Sequence, residues 1–312
     1  MDGVSKSVLV IGATGYIGRY IALASAAAGF STSALLRANS GAAPNPRRDK
    51  AIESLHAAGI SIKNGSLDDR ESLMLALEDV DIVISAVGIP QILEQLNLVE
   101  AMKEKKTVKR FVPSEFGQDV DKVVCLKPAQ EVLSDPKIRV RRAIEAAGIP
   151  FTYVITNAFA KFHFNMREEN GRLSPPERFV IYGDGNIKAS FVTEEDIGAF
   201  TVKAAADPRA LNKTLHMRPP ANALSQNETV AILERETKRQ LRKEVVSQVE
   251  MLESIRGHVF LAFESVILSL MYSAYIRGDT FGFELGPNDV VAHELYPDAS
   301  FTDAHGYLSK FV

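Results

Sequence analysis

Three glycines near the beginning of the chain have the spacing of a phosphate-binding loop. Gly12, Gly15 and Gly18 directly follow residues 8–11, a short apolar run rich in β-branched side chains. After such a strand the first glycine permits a tight turn, the second admits a pyrophosphate close to the backbone, and the third lets a helix pack on the strand. The alternative is a merely structural turn. The pattern predicts a dinucleotide site with contacts from Gly12, Thr14, Gly15, Tyr16, Ile17 and Gly18.

The residues after the second predicted strand indicate which dinucleotide is bound. An NAD site usually places Asp or Glu there, whereas a basic side chain accommodates the 2′-phosphate of NADP. Here Arg37 follows residues 31–36, Arg48 lies a little further on, and no carboxylate occurs from Arg37 until Asp49. The alternative is a solvated basic loop. We predict NADPH as the cofactor, with Arg37 and Arg48 among its binding residues.

Lys137 has a setting that would lower its pKa. Asp135 is expected to cap a helix and Pro136 to occupy its first position, which places Lys137 in the first turn. The positive end of the helix dipole would disfavour a charged lysine there. Lys137 also lies on the flank of an inward apolar stripe that contains Val140 and Ile144. The residues alone favour a surface lysine with its stem along the stripe, with proton transfer as the alternative.

Alternating strand and helix patterns position these residues. Strands are predicted at residues 8–11, 31–36, 60–63, 81–87, 109–112 and 151–155. Helices are predicted after Gly18 and at residues 49–58, 71–77, 91–105 and 137–147. The alternation predicts an α/β fold, a Rossmann-type doubly wound parallel sheet whose ligands bind at the carboxyl ends of the strands.

The loops at those strand ends supply the other predicted cofactor contacts. They are Ala86, Val87 and Gly88 after the fourth strand, Ser114 after the fifth, and Asn157 and Phe159 after the sixth. We predict that residues 1–157 form the NADP-binding domain, together with returning segments from about 178 to 220. Residues 158–312 are predicted to form mainly a smaller C-terminal substrate-binding lobe.

Composition excludes several classes of partner. The 312 residues carry a formal charge of −3, which gives no electrostatic reason to expect nucleic acid or an anionic membrane. Cys125 is the only cysteine, so no internal disulfide can form, and this suits a reducing compartment. The first strand begins too early to leave space for a signal peptide. We therefore expect a cytoplasmic protein.

An apolar run near the C-terminal end is long enough to raise the question of a membrane span. Residues 259–276 are mostly Phe, Leu, Ile, Val and Ala, at the lower limit of a spanning helix, but they include Glu264 and three serines. A carboxylate near the centre of a membrane would be costly. A buried or cleft-lining segment of the second lobe is the better prediction.

Four stretches of the sequence carry a family resemblance. They are GATGYIG at residues 12–18, KRFVPSEFG at 109–117, RRAIEAAGIPFTYV at 141–154 and LHMRPP at 215–220. Together with Arg37 they resemble the isoflavone reductase-like group, atypical NmrA-like short-chain dehydrogenases. The group comprises plant NADPH reductases of phenylpropanoid-derived compounds, including lignans, and the resemblance covers essentially the whole chain.

The resemblance implies a catalytic residue and a reaction. The lysine of the family pattern K-x-x-V/I-R-R corresponds to Lys137 in KIRVRR at residues 137–142. The implied activity is hydride transfer from NADPH to a benzylic carbon of an aromatic ether, most similar to the phenylcoumaran benzylic ether reductases. Pinoresinol-lariciresinol reductase or another reductase of the group is the first alternative. A non-catalytic NADP(H) sensor of the NmrA-like kind is the second.

Departures from the group's patterns narrow these expectations. Gln118 stands where leucoanthocyanidin reductases carry a histidine, which counts against their chemistry, and residues 119–121 look more like the benzylic ether reductases. Residues 162–166 and 260–275 are bulkier than usual and are expected to line an unusual substrate cleft. No tyrosine is followed four residues later by lysine, and the six histidines are isolated, so no metal is predicted. Whether the chain forms a homodimer is left open.

Overall fold

The computed structural model describes residues 6–37, 45–169, 171–257 and 263–312. Its strands are β1 (Ser7–Ile11), β2 (Ser31–Leu36), β3 (Ser61–Asn64), β4 (Ile82–Ser85), β5 (Arg110–Val112), β6 (Thr152–Ile155), β7 (Ala158–Phe159), β8 (Arg167–Glu169), β9 (Arg172–Ser174), β10 (Arg178–Tyr182), β11 (Lys188–Val192), β12 (Lys213–His216), β13 (Ala223–Ser225), β14 (Arg242–Val246) and β15 (Asp289–Val291). Its helices are α1 (Gly18–Ala27), α2 (Pro46–Ala57), α3 (Arg70–Ala76), α4 (Gln95–Lys105), α5 (Asp135–Ala146), α6 (Ala160–His163), α7 (Glu194–Ala206), α8 (Gln226–Thr237), α9 (Gln248–Gly257), α10 (Phe263–Tyr272), α11 (Ala292–Leu295) and α12 (Ala304–Leu308).

A parallel sheet forms the centre of the molecule. Its first five strands lie in the order β3-β2-β1-β4-β5. A bridge between Phe111 and Phe151 connects β5 to the start of β6, and β6 continues the sheet through β12 to β15, all parallel. The reversal of strand order at β1 is the point where ligands bind in doubly wound folds. The predicted Rossmann-type fold is confirmed.

Helices cover both faces of this sheet because the side chains of β1 alternate between two cores. Val8 and Val10 face a cluster that includes Ile21 of α1 and Phe200 of α7. Leu9 faces the opposite cluster, formed with α3, α4 and α5. A strand with apolar residues on both faces must be buried on both faces, which is the environment that its sequence requires.

A second set of elements packs around its own aromatic cluster. Phe164, Phe179, Phe191 and Tyr307 are almost completely buried there. The strands nearby are short: β7 pairs with β11, β11 with β13, and β10 with β14. Of the elements between residues 178 and 220, α7 packs against α1 and β12 joins the main sheet, whereas β10 and β11 pair elsewhere. The predicted domain boundaries stay predictions.

Several predicted element bounds require correction. The predicted fourth strand ends at Ser85 rather than at Val87, because the chain turns away after the Ala86 N–H donates to the Ile11 carbonyl. The helix predicted from residue 91 begins only at Gln95, after a 3₁₀ turn at Ile89–Gln91. None of the described helices is long and apolar enough to cross a membrane.

Candidate functional site

A cavity of about 420 Å³ lies at the carboxyl ends of β1, β2 and β4. We call it the glycine-loop cavity. Eight of the predicted cofactor residues line it: Gly12, Thr14, Gly15, Arg37, Arg48, Ala86, Val87 and Gly88. These residues come from three different loops and are separated by up to 76 positions in the sequence. They meet at one edge of the sheet, as the parallel topology requires.

The glycine loop is held against the neighbouring backbone. Gly12 has a φ of +79°, and a Cβ on it would lie 2.5 Å from the Ala86 carbonyl oxygen. A Cβ on Gly18 would lie 2.1 Å from the Gly12 carbonyl oxygen, which in turn accepts the N–H of Gly15 at 2.8 Å. Larger side chains are thus excluded by the packing of the turn itself at positions 12 and 18.

The features of this cavity fit a dinucleotide phosphate. No side chain caps the amino end of α1, so backbone N–H groups and the positive end of the helix dipole are left for an anion. Arg37 is exposed at the cavity wall, and the guanidinium of Arg48 donates to the Arg37 carbonyl at 2.7 Å. The side chains of Arg37 and Arg48 therefore both line this cavity, and either could pair with a phosphate group bound there.

Other predicted cofactor residues do not line this cavity. The Tyr16 hydroxyl donates to Glu194 at 2.6 Å, and Ile17 and Gly18 pack in the interior. The Ser114 hydroxyl donates to the Val87 carbonyl at 2.8 Å, so it connects the loops after β4 and β5. The remaining two, Asn157 and Phe159, line a second cavity.

Sequence reasoning missed several residues of the glycine-loop cavity, including Asn45, Gly65, Ser66, Gln91 and Glu94. Gly65 and Ser66 follow β3, so their position after a predicted strand was the available signal. A hydrogen bond from Ser66 lowers the pKa of Asp68, and the charge of Arg37 contributes in the same direction. Arg37 therefore has an acidic neighbour that the linear sequence did not reveal.

The second cavity has a volume of about 470 Å³ and a largely apolar wall. We call it the lysine cavity because Lys137 lines it. Phe116, Gly117 and Gln118 contribute from the loop after β5, and Asn157 and Phe159 from the segment after β6. The wall also includes Phe263, Ile267, Leu270, Met271 and Tyr275, so this apolar segment is cleft-lining, as expected. Residues 259–262 of the predicted segment lie outside the described residues.

The helix that carries Lys137 differs from the prediction at its start. A π-helical turn at Gln130–Ser134 runs directly into α5, and Asp135 has helical backbone angles rather than those of a cap. The Asp135 carboxylate instead accepts a hydrogen bond from Gln130 at 2.6 Å. Lys137 therefore does not lie at a free helix terminus, and the helix dipole does not explain its ionisation.

Burial, rather than a helix terminus, lowers the pKa of Lys137. The Lys137 side chain is only 7 % exposed, and this loss of hydration lowers its pKa, with a further lowering contribution from Arg141 that opposes the effect of Glu115. Its Nζ donates to the backbone carbonyl of Glu115. A neutral amine can make that bond with one N–H and still offer a lone pair to the cavity.

A buried ion-pair network fixes the loop that Lys137 touches. Arg141 is 1 % exposed and binds both carboxylate oxygens of Glu115, at 2.9 and 3.0 Å. Its guanidinium also donates to Asp119 at 2.8 Å and to Asp121 at 2.9 Å. This network was not predicted, because α5 and the acidic residues are separated along the chain.

Asn157 lies where the loop after β5 meets the end of β6. It has a φ of +55°, and its N–H donates to the Gly117 carbonyl at 3.0 Å. Its buried Oδ1 has no hydrogen-bond partner among the described residues. Asn157 itself lines the second cavity, so this unpaired acceptor lies close to any ligand bound there.

One group of side chains has the composition of a metal site. Asp119, His216 and Asp289 place one potential ligand atom each within 4.8 Å of the others. Arg141 already pairs with Asp119 at 2.8 Å, and Lys122 with Asp289 at 3.0 Å. Two cations therefore already balance the carboxylates, and we assign no metal to the group.

Comparison with known proteins identifies close relatives over nearly the whole chain. The NmrA-like family profile matches residues 4–308. A phenylcoumaran benzylic ether reductase of Ginkgo biloba is 47% identical over 98% of this chain and 98% of its own length. Another, of Pinus taeda, is 48% identical over 99% and 100%.

Solved structures agree with this similarity. A crystal structure from the pinoresinol-lariciresinol and phenylcoumaran benzylic ether reductases superposes with a TM-score of 0.89 at 40% identity, covering 99% of this chain and 100% of that one. The leucoanthocyanidin reductase–NADPH complex from Vitis vinifera also reaches 0.89, at 36% identity, covering 97% and 98%.

Proposed function

This chain belongs to the NmrA-like family, and we propose that it is an NADPH-dependent reductase that transfers hydride to a benzylic carbon of a phenylpropanoid-derived aromatic ether. The predicted resemblance is confirmed by relatives at 47–48% identity over nearly the full length. The observation that carries the proposal is Lys137, a buried lysine in the wall of a largely apolar cavity.

The glycine-loop cavity is the proposed NADPH site. Gly12, Thr14 and Gly15 would hold the pyrophosphate beside the amino end of α1, and Arg37 and Arg48 would bind the 2′-phosphate. Asn157 and Phe159 line the lysine cavity and would contact the part of NADPH that extends toward Lys137. When bound, NADPH supplies the hydride, which leaves proton transfer and orientation to the protein.

Lys137 is the proposed proton-transfer group. Burial favours its neutral amine, whose lone pair can take the proton of a substrate phenol while one N–H stays bonded to the Glu115 carbonyl. Loss of the phenolic proton promotes cleavage of the benzylic C–O bond, which releases the ether oxygen as a phenolate and leaves a quinone methide whose benzylic carbon accepts the hydride. The ammonium can then return its proton to one phenolate, which restores the neutral amine, and solvent supplies the one further proton that the net reduction requires.

The lysine cavity is the proposed substrate site. Its volume of about 470 Å³ and its aromatic and aliphatic wall suit a ligand with two aromatic rings. Gln118 lines it where leucoanthocyanidin reductases carry a histidine, so we favour phenylcoumaran-type lignans. Pinoresinol-lariciresinol or another reductase activity of the group is the alternative within the same site.

The division of labour along the chain follows from these sites. We propose that residues 1–157, with the segments returning between about 178 and 220, hold the cofactor, and that residues 158–312 mainly bind substrate. We also propose a cytoplasmic protein in plant secondary metabolism, with small aromatic molecules rather than nucleic acid or membranes as partners. Cys125, the only cysteine, is buried and free. A homodimer is compatible with the proposal, which does not depend on it.

Absorbance of NADPH tests the function directly. A phenylcoumaran, pinoresinol, lariciresinol and an isoflavone are each supplied with NADPH, and the absorbance is expected to fall fastest with the phenylcoumaran. Loss of absorbance only with another of these compounds would show that the protein has a different reductase activity of the group. Tight NADPH binding without turnover of any compound would overturn the reductase and favour a dinucleotide sensor.

A further inference from the structure

A chain of three hydrogen bonds runs through the interior to the wall of the lysine cavity. The Thr229 hydroxyl donates to the Ser225 carbonyl at 2.8 Å. The Thr229 oxygen lies 2.9 Å from Nε2 of His163, and Nδ1 of His163 lies 3.2 Å from the hydroxyl of Tyr275. All four residues are buried, and Tyr275 lines the cavity.

The direction of each bond follows from the first one. A backbone carbonyl can only accept, so the single hydroxyl proton of Thr229 is committed to Ser225. The Thr229 oxygen must then accept from His163, which places the imidazole proton on Nε2. Since a neutral imidazole carries one N–H, Nδ1 is an acceptor, and the Tyr275 hydroxyl donates to it.

The neutral state of His163 is supported by its surroundings. Its ring stacks on Phe191 with centroids 4.7 Å apart and meets the edge of Phe164 at 5.1 Å. Complete burial among these rings lowers its pKa to about 3. His163 therefore keeps one proton and one acceptor nitrogen throughout the physiological pH range.

Tyr275 is left with an oxygen whose proton points away from the cavity. Its lone pairs accept no hydrogen bond from the described residues, and the surrounding wall is largely apolar. We propose that Tyr275 is a specificity-determining acceptor for a hydroxyl group of the substrate, and that His163 and Thr229 are positioning residues that fix its direction. This inference deepens the proposed function and rests on it.

The acceptor defines a substrate class more narrowly than cavity shape does. Lys137, in the same wall, is the proposed partner of the substrate phenol, so Tyr275 would bind a second hydroxyl, an alcohol elsewhere on the molecule. A methyl ether at that position brings no proton and leaves the Tyr275 oxygen unpaired. A buried site built for a hydroxyl discriminates strongly against such an analogue. The preferred ligand is thus an aromatic ether with both a phenol and a free alcohol.

Calorimetric titration of the NADP⁺-loaded protein tests this directly. The ligands are a phenylcoumaran with a free primary alcohol and the derivative methylated only at that alcohol. Wild type is expected to bind the alcohol at least about tenfold more tightly than the methyl ether. Tyr275→Phe should weaken binding of the alcohol by a similar factor and leave the ether unchanged, so the two affinities become nearly equal.

Two further variants separate the hydrogen-bond chain from general packing. Tyr307→Phe removes another buried hydroxyl outside the cavity and should keep the wild-type ratio. Thr229→Val is close in shape but offers no acceptor to Nε2. His163 should then carry its proton on Nδ1 and donate to Tyr275, whose own proton turns to the cavity. The preference for the alcohol should fall by about tenfold or reverse.

The titration reads binding and the absorbance assay reads turnover, so the two proposals can fail separately. Equal wild-type affinity for both ligands, no binding of either, or an unchanged ratio in Tyr275→Phe would overturn the inference. If the ratio of the two affinities changes as expected in the variants but no compound causes NADPH oxidation, Tyr275 is supported as an acceptor and the proposed reductase activity is rejected. Should Thr229→Val not fold, the comparison of Tyr275→Phe with Tyr307→Phe decides alone.

Discussion

Lys137 and Arg141 lie four residues apart on α5 and both hold Glu115, the first through its backbone carbonyl and the second through its carboxylate. The pairing has an electrostatic consequence. A free Glu115 carboxylate beside Lys137 would favour the charged ammonium, and the nearby Arg141 guanidinium offsets part of that effect. The network thus fixes the loop and supports a neutral lysine.

Removing the Lys137 amine should greatly reduce turnover and leave NADPH binding intact. Lys137→Ala is expected to lower kcat by about 100- to 10,000-fold, as for a lost general acid or base, while the Kd for NADPH stays nearly unchanged. Lys137→Arg should not restore the rate, because guanidinium does not release its proton near neutral pH. Stopped-flow turnover and fluorescence titration measure the two quantities. The exposed Lys103→Ala serves as control, and near-normal turnover of Lys137→Ala would remove this residue from the mechanism.

The pH dependence of kcat/KM should report the ionisation of Lys137. Because the neutral amine is the active form, the rate should rise with pH and level off above the pKa, which burial places below the ordinary 10.5. Lys137→Ala should lose this acidic limb. A limb that persists in the residual activity of the variant would have to be assigned to another group.

Arg141→Met should leave two buried carboxylates without their partner. Breaking a buried ion pair from one side costs about 3–5 kcal/mol of unfolding free energy. The adjacent Arg142 is 53% exposed, so Arg142→Met should cost less than about 1 kcal/mol. Urea unfolding compares them. In Arg141→Met the acidic limb should also move to higher pH, because an unpaired Glu115 favours the charged lysine; equal stability of the two variants would contradict the network.

Arg37→Asp should change the choice of cofactor. It removes a charge-assisted bond of about 1.5–3 kcal/mol and adds repulsion, which predicts at least about a tenfold loss in affinity for NADPH relative to NADH. Titration with both nucleotides gives the ratio, with the exposed Arg172→Asp as control for charge alone. An unaltered ratio would show that Arg37 does not bind the 2′-phosphate.

Substitutions at two glycines of the loop should have different effects, one on NADPH binding and the other on the stability of the fold. Gly15 lines the glycine-loop cavity and its Cβ would lie 3.0 Å from the Gly12 carbonyl oxygen, so Gly15→Val should abolish NADPH binding in a folded protein. Gly18→Ala places a Cβ 2.1 Å from the Gly12 carbonyl oxygen and should destabilise the fold by at least about 1–3 kcal/mol. Thermal unfolding with NADPH titration distinguishes the two, and Gly257→Ala, where a Cβ would meet none of the described residues within 4 Å, is the control. Normal affinity in Gly15→Val would refute the loop's role.

The sequence predicted those parts of the molecule that depend on local pattern. Strand and helix periodicity over the first 155 residues predicted the first six strands of the main sheet, and the glycine spacing located its cavity. The start of α5 was not predictable, because a π-helical turn has no distinct periodicity and Asp135 resembles a cap. The burial and pairing of Arg141 were not predicted, since its acidic partners come from another loop.

The hydrogen-bond chain to Tyr275 was equally hidden. It joins His163, Thr229 and Tyr275 from three separate segments, and only tertiary packing brings them within 3.2 Å. From sequence a lone histidine is most simply a structural residue. Prediction therefore succeeded for the scaffold and for single motifs. It failed where charged or polar side chains bond to partners that are far away in the sequence.

The order of strands in the main sheet also determines when the sheet can close on the ribosome. The strands β1 to β5 can pair as soon as Val112 has emerged, but β6 finds its outer neighbour only at Lys213–His216, and that strand waits for Asp289–Val291. Unpaired strand edges invite association with other chains. The nascent polypeptide thus carries an open strand edge, at which other chains can pair, during much of its translation.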